Sequence, residues 1–138
     1  MYKRQDESTE KIVLDTPVQR DTCCHSAGSL EFGGDGLLYI STGDNTNPHE
    51  SDGYAPVDEQ AGRSGFDAQK SSANPNDLRG KILRIKPKSD GTYEIPDGNL
   101  FAKDGSNGRP EIYVMGCRNP YRIAIDDHTG YVLSLIHI

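Results

Sequence analysis

An all-β fold is what these 138 residues predict. Fifteen glycines and eight prolines punctuate the chain at short intervals, and no apolar stripe recurs at the spacing of an amphipathic helix. Two segments, one near residue 30 and one near residue 125, repeat a single pattern: strand, Asp/Gly turn, return strand bearing an aromatic.

Residues 1–10 are polar and charged, and are expected to form a disordered end. Lys11 to Asp15 reads as a short strand that Pro17 stops. The clearest signal covers residues 29–42, SLEFGGDGLLYIST. Leu30 and Phe32 alternate with polar neighbours, GGDG supplies the turn, and LLYIS returns. Glycine accepts the positive φ that such a turn demands and aspartate tolerates it. A long polar loop follows over 45–77, rich in Asn, Asp, Ser, Gly and Pro. A segment of that length without periodicity points to a functional excursion or disorder. Residues 79–85 predict a strand, with 91–95 as its partner across a Lys-Ser-Asp-Gly turn. A further strand is predicted over 111–115, and 121–126 turns through 127–130 into Tyr131 as the second hairpin. Strand pattern alone does not choose between sandwich and radial architectures.

Charge and hydropathy narrow the function classes. Net charge is −6 with acids and bases interspersed, and mean hydropathy is −0.70. No basic block exists, which argues against nucleic acid as a partner. No apolar run approaches the roughly 18 residues of a membrane span. The polar N-terminus does not read as a signal peptide.

Three cysteines, Cys23, Cys24 and Cys117, leave an odd count. They read as ordinary free thiols or, in an oxidising compartment, as one disulfide joining the Cys23–Cys24 pair to Cys117. The spacing matches no zinc site.

Four residues stand out for chemistry. His25 lies just before the first hairpin and Asp44 just after it. A hairpin returns to where it began, so its ends can bring a carboxylate to an imidazole. Such a pairing fixes the tautomer and makes histidine a usable general base near neutral pH. Without contact they are a surface histidine and a turn aspartate. Arg118 and Asn119 precede Pro120 at a strand end, where they project a cation and an amide. Arginine's paired donors suit an anionic carboxylate-bearing cofactor; a solvated arginine at a bulge is the other reading. The loop groups Asp44, Asn45, Asn47, Glu50 and Asp52 do not match the EF-hand calcium pattern. His49, His128 and His137 read as turn or end residues.

Three blocks in order, HSAGSLEFGGDGLLYISTGDN (25–45), SSANPNDLRGKILRI (71–85) and PEIYVMGCRNPYRI (110–123), resemble the glucose/sorbosone dehydrogenase family. The likeness runs over roughly residues 20–131. It implies a six-bladed β-propeller that uses pyrroloquinoline quinone (PQQ) and calcium. Within it, 11–131 would be a partial domain of about two blades carrying the 45–77 loop, and 132–138 an atypical tail where the likeness stops. His25 maps to the general base, Asp44 to the carboxylate that holds it, and Arg118 and Asn119 to cofactor contacts.

The implied reaction is oxidation of an aldose at its anomeric carbon to a lactone, with hydride passing to the quinone and electrons leaving to an external acceptor such as a cytochrome. The family's calcium ligands are expected downstream of Ile138, and its members imply a periplasmic or secreted location. A piece of a propeller leaves open blade faces, so this chain alone is expected to be aggregation-prone and inactive. Two other readings stay open: a propeller without redox chemistry that serves as a carbohydrate-binding or interaction module, and a calcium-dependent hydrolase on a similar propeller, such as a lactonase.

Overall fold

The computed structural model describes residues 6–19, 24–49 and 52–136. Seven strands and three short 3-10 turns make up its regular structure among those residues. The first sheet holds β1 (Ala27–Phe32), β2 (Leu38–Thr42), β3 (Lys81–Pro87), β4 (Tyr93–Glu94) and β5 (Ile112–Met115). All pairings are antiparallel, in the order β1-β2-β3. The far edge of β3 is shared: β5 takes Lys81–Leu83 and β4 takes Lys86–Pro87. A second, two-stranded sheet pairs β6 (Pro120–Ile125) with β7 (Val132–Ile136).

Local chemistry explains the first hairpin. Gly36 adopts φ +76°, its N–H donates to Gly33 O at 2.9 Å, and Asp35 Oδ1 accepts from Leu37 N at 3.0 Å. The two hairpins meet through one core cluster, in which Ile123 of β6 packs with Tyr39 of β2 and Ile82 of β3. A second cluster of Leu78, Leu83 and Ile112 closes the opposite side. Burying each such side chain contributes about 1.5–3 kcal/mol. Lys81 is fully buried at the start of β3. Its Nζ donates to the backbone carbonyls of Ser71, Ser72 and Arg79 at 2.7–2.9 Å, tying the end of the long loop to the sheet.

Several expectations are corrected. Residues 11–15 form no strand; they run beside the sheet without a ladder partner, and only Leu14 packs against the core. The predicted 91–95 strand shrinks to two residues because β5 occupies the rest of the β3 edge. Residues 132–136 form a full strand, since the Asp126–Gly130 turn carries the chain back along β6. The described part of the 45–77 loop holds two 3-10 turns, Ser64–Phe66 and Ala68–Lys70. Cys117 is a free thiol, so it does not bridge to the cysteine pair. Cys24 is disulfide-bonded elsewhere, and Cys23 lies outside the described residues, as do residues 1–5 of the polar end. Residues 6–10 are described and include the 3-10 turn Glu7–Thr9.

Candidate active site

The sheet delivers its chemical groups to one end. The register sets Ala27 against Thr42, Thr42 against Lys81, and Lys81 against Met115. So the entry to β1, the exit of β2, the entry to β3 and the exit of β5 all lie together. His25 sits two residues before β1, Asp44 two after β2, and Arg118 and Asn119 between β5 and β6. Backbone bonds lock these crossings: Asp44 N donates to Arg118 O at 2.9 Å, Gly80 N to Gly43 O at 2.8 Å, and Cys117 N to Gly80 O at 3.0 Å.

His25 and Asp44 meet. Asp44 Oδ1 stands 2.9 Å from His25 Nδ1, and both side chains are buried. The same oxygen accepts from Thr46 N and Thr46 Oγ1, each at 2.9 Å. Because a carboxylate only accepts, Nδ1 carries the hydrogen and Nε2 keeps its lone pair. Nε2 makes no hydrogen bond to a described residue. Burial pushes His25 below its ordinary value of 6.5; Asp44 opposes that shift and the Arg118 cation adds to it. The ring is therefore neutral near pH 7, as a general base must be.

The backbone around the ring is bent. Cys24, His25 and Ala27 all adopt positive φ, at 81°, 50° and 51°. Non-glycine residues rarely do so unless their surroundings hold them there. Asn119, which is buried, accepts the Ala27 N–H on Oδ1 at 3.0 Å and so braces this turn. Arg118 is exposed, forms no ion pair with a described carboxylate, and lines a cavity of about 310 Å³ with Thr46, Asn47, His49 and Pro56. An uncompensated guanidinium at a cavity wall suits an anionic ligand. Thr46 joins the two parts of the site, since it lines that cavity and also hydrogen-bonds Asp44.

On the other side of Thr46 lies a second cavity of about 290 Å³, whose walls include Asp44, Asp67, Ser71 and Arg79. Asp44 Oδ2 and Ser71 Oγ are buried there with no protein partner. The sequence drew attention to neither Thr46 nor Ser71. Thr46 follows directly on the Gly-Asp-Asn run, and that adjacency was the signal available. Among the described residues, no group of three or more His, Cys, Asp or Glu side chains converges as a metal site. No helix among them is long and apolar enough to cross a membrane.

Comparisons with known proteins identify the family. The glucose/sorbosone dehydrogenase family model matches residues 2–137. HIPL1 protein of Arabidopsis thaliana is 32% identical, over 74% of this chain and 14% of its own length. Aldose sugar dehydrogenase YliI of Escherichia coli K12 is 32% identical, over 74% of this chain and 20% of its own. A solved structure from Thermus thermophilus, described as a putative oxidoreductase (glucose dehydrogenase), superposes with TM-score 0.58 at 31% identity, covering 87% of this chain and 28% of that one. The chain thus spans a fifth or less of those two curated relatives. Matched along nearly its whole length, it belongs to the glucose/sorbosone dehydrogenase family.

Proposed function

We propose that this chain forms about two blades of a six-bladed β-propeller in a PQQ-dependent sugar dehydrogenase, with His25 as general base. The observation that carries the reading is the buried His25–Asp44 pair, bonded through Nδ1 so that Nε2 keeps its lone pair. His25 Nε2 takes the proton of the anomeric hydroxyl of an aldose. Asp44 stabilises the imidazolium that results and holds the ring's orientation. Arg118, with no opposing carboxylate, binds an anionic group of the cofactor, and Asn119 offers its amide Nδ2 because Oδ1 is taken by Ala27. When bound, the quinone supplies a two-electron acceptor for the hydride from the sugar carbon. The product is a lactone, and the electrons pass on to an external acceptor such as a cytochrome. Calcium, as the family implies, would be held by residues outside this chain. A periplasmic or secreted location goes with the same reading.

Two strand surfaces support membership of a larger propeller. Leu30 and Phe32 on β1, and Leu133 and Leu135 on β7, are each 60–62% exposed. Apolar faces of that kind call for neighbouring blades.

The test is His25→Gln in the intact protein that carries this sequence. Sugar oxidation is expected to disappear while quinone binding persists. Retained turnover would remove His25 from the mechanism. If the unaltered protein binds sugar but never oxidises it in the presence of quinone, the propeller is a binding module instead.

A further inference from the structure

Three consecutive residues grip His25 at both of its ends. Asp44 takes the ring at Nδ1. Gly43 lies so close beneath the His25 carbonyl that any Cβ there would overlap it. Asn45 then donates twice to that carbonyl oxygen, from Nδ2 at 2.9 Å and from its backbone N at 3.2 Å. The carbonyl is therefore plugged into a slot between Gly43 and Asn45, while the ring is pinned from the residue between them.

Asn45 is itself held in place. It is buried at 5% exposure and adopts φ +57°, a conformation that asparagine accepts more readily than most residues. Gln19 clamps it from the far side, donating its N–H to Asn45 Oδ1 at 3.0 Å and its Nε2 to Asn45 O at 3.1 Å. The amide is thus used in both directions: its oxygen accepts from Gln19 and its nitrogen donates to His25. With His25 at φ +50°, the carbonyl of that residue points where an extended strand would not put it. A residue in that conformation needs outside bonds to stay there.

We infer that Asn45 is a positioning residue for the general base: its side-chain amide fixes the left-handed backbone of His25 and so keeps the imidazole on Asp44. The inference rests on His25 being the base of the proposed reaction, but the placement it describes is measurable without turnover. Asn45→Asp tests it most directly. Aspartate keeps the size, tolerates the backbone conformation and still accepts from Gln19, but it sets an oxygen against the His25 carbonyl where a donor stood.

The experiment uses the intact protein and two readouts. In the unaltered protein, proton NMR is expected to show a downfield, slowly exchanging resonance from His25 Nδ1–H in its bond to Asp44, assigned by its loss in His25→Gln. In Asn45→Asp that resonance is expected to broaden away while circular dichroism keeps its β-sheet spectrum. In the quinone-loaded protein, kcat is expected to fall at least tenfold with KM for the sugar little changed, because Asn45 orients the base without touching substrate. Should Asn45→Asp fail to fold, Asn45→Gly keeps the positive φ without strain, removes the amide donor, and is expected to show the same two losses.

An undisturbed Nδ1–H resonance with kcat unchanged in a folded variant overturns the inference. A resonance lost in a protein that never oxidises sugar leaves the positioning role standing and sinks the dehydrogenase reading. A resonance retained while kcat and KM both change puts Asn45 at the substrate instead, which also overturns it.

Discussion

Asp44 meets His25 with one oxygen only: Oδ1 carries the ring and both Thr46 donors, while Oδ2 faces the neighbouring cavity without a protein partner. The ring's placement on the Asp44 side therefore leans on that one oxygen, with Thr46 Oγ1 a further neighbour of Nδ1 at 3.3 Å. Asp44→Asn is expected to keep the contact and lose the charge: Thr46 N–H can only donate, so the amide oxygen takes the Oδ1 position and no anion remains to stabilise the imidazolium. In a hydrolase triad, where the same change also gives the wrong tautomer, kcat falls about 10⁴-fold; a smaller loss, of about 10²-fold, is expected here. Steady-state kinetics of the quinone-loaded intact protein checks it; a loss under tenfold would detach Asp44 from the chemistry.

The pH dependence follows from the direction of the His25 shift. A base works in its deprotonated form, and burial holds this imidazole below its ordinary value of 6.5. Going down in pH, the acid limb of kcat/KM is expected to be centred below 6.5. A profile whose acid limb is centred above 6.5 contradicts that assignment.

Gly43 has no room for a side chain. Gly43→Ala would drive a methyl into the His25 carbonyl, and the chain must shift at the point where β2 hands over to Asp44. Destabilisation of about 2–4 kcal/mol is expected, together with loss of turnover. Urea unfolding and activity measured side by side would show both, and a variant of unaltered stability would mean that the turn at His25 gives way easily.

Lys81 holds the end of the long loop to the sheet. Replacing it by Met removes three hydrogen bonds but strands only the Arg79 carbonyl, since Ser71 O still accepts from Asn74 N and Ser72 O from Gly116 N, and is expected to cost about 2 kcal/mol. Its titration adds a signature. Burial pushes the folded-state value down from 10.5 to about 8, so between those limits the unfolded chain binds more protons. Raising pH through that window therefore favours the folded chain. The rise is expected in the parent and absent in Lys81→Met, as followed by urea midpoints from about pH 8 to 10.5.

How much of this was legible in the sequence depends on how local the cause is. The GGDG turn at 33–36 and the return through Tyr39 are set by neighbouring residues, and β1 and β2 lie close to where the pattern put them. Lys11 to Asp15 has strand-like composition, but a strand needs a partner, and no sequence pattern announces that none arrives. Val132–Ile136 lies in the stretch set apart as an atypical tail, yet the family match runs through it to residue 137 and it pairs with β6 as a full strand. For the site, the likeness proposed His25 with Asp44, and hairpin closure gave a reason for them to meet. Asn45 and Thr46 escaped because their roles depend on positive φ at His25 and on which way one carboxylate oxygen points. Asn119 was singled out for an external ligand, whereas its oxygen is spent on Ala27 N–H; the sequence held no sign that the turn before β1 would need bracing.

The β1–β2 hairpin carries His25 at one end and Asp44 at the other. Imidazole and carboxylate thus form a cassette encoded by one contiguous stretch, whereas Arg118 arrives from a remote part of the chain. On the proposed reading, substitution at 118 is expected to lower cofactor affinity while the His25–Asp44 contact, to which Arg118 lends only its backbone carbonyl, stays in place. That reading makes the pair and the arginine separable: the His25–Asp44 contact is encoded within one hairpin, whereas the proposed cofactor contact at Arg118 comes from outside it.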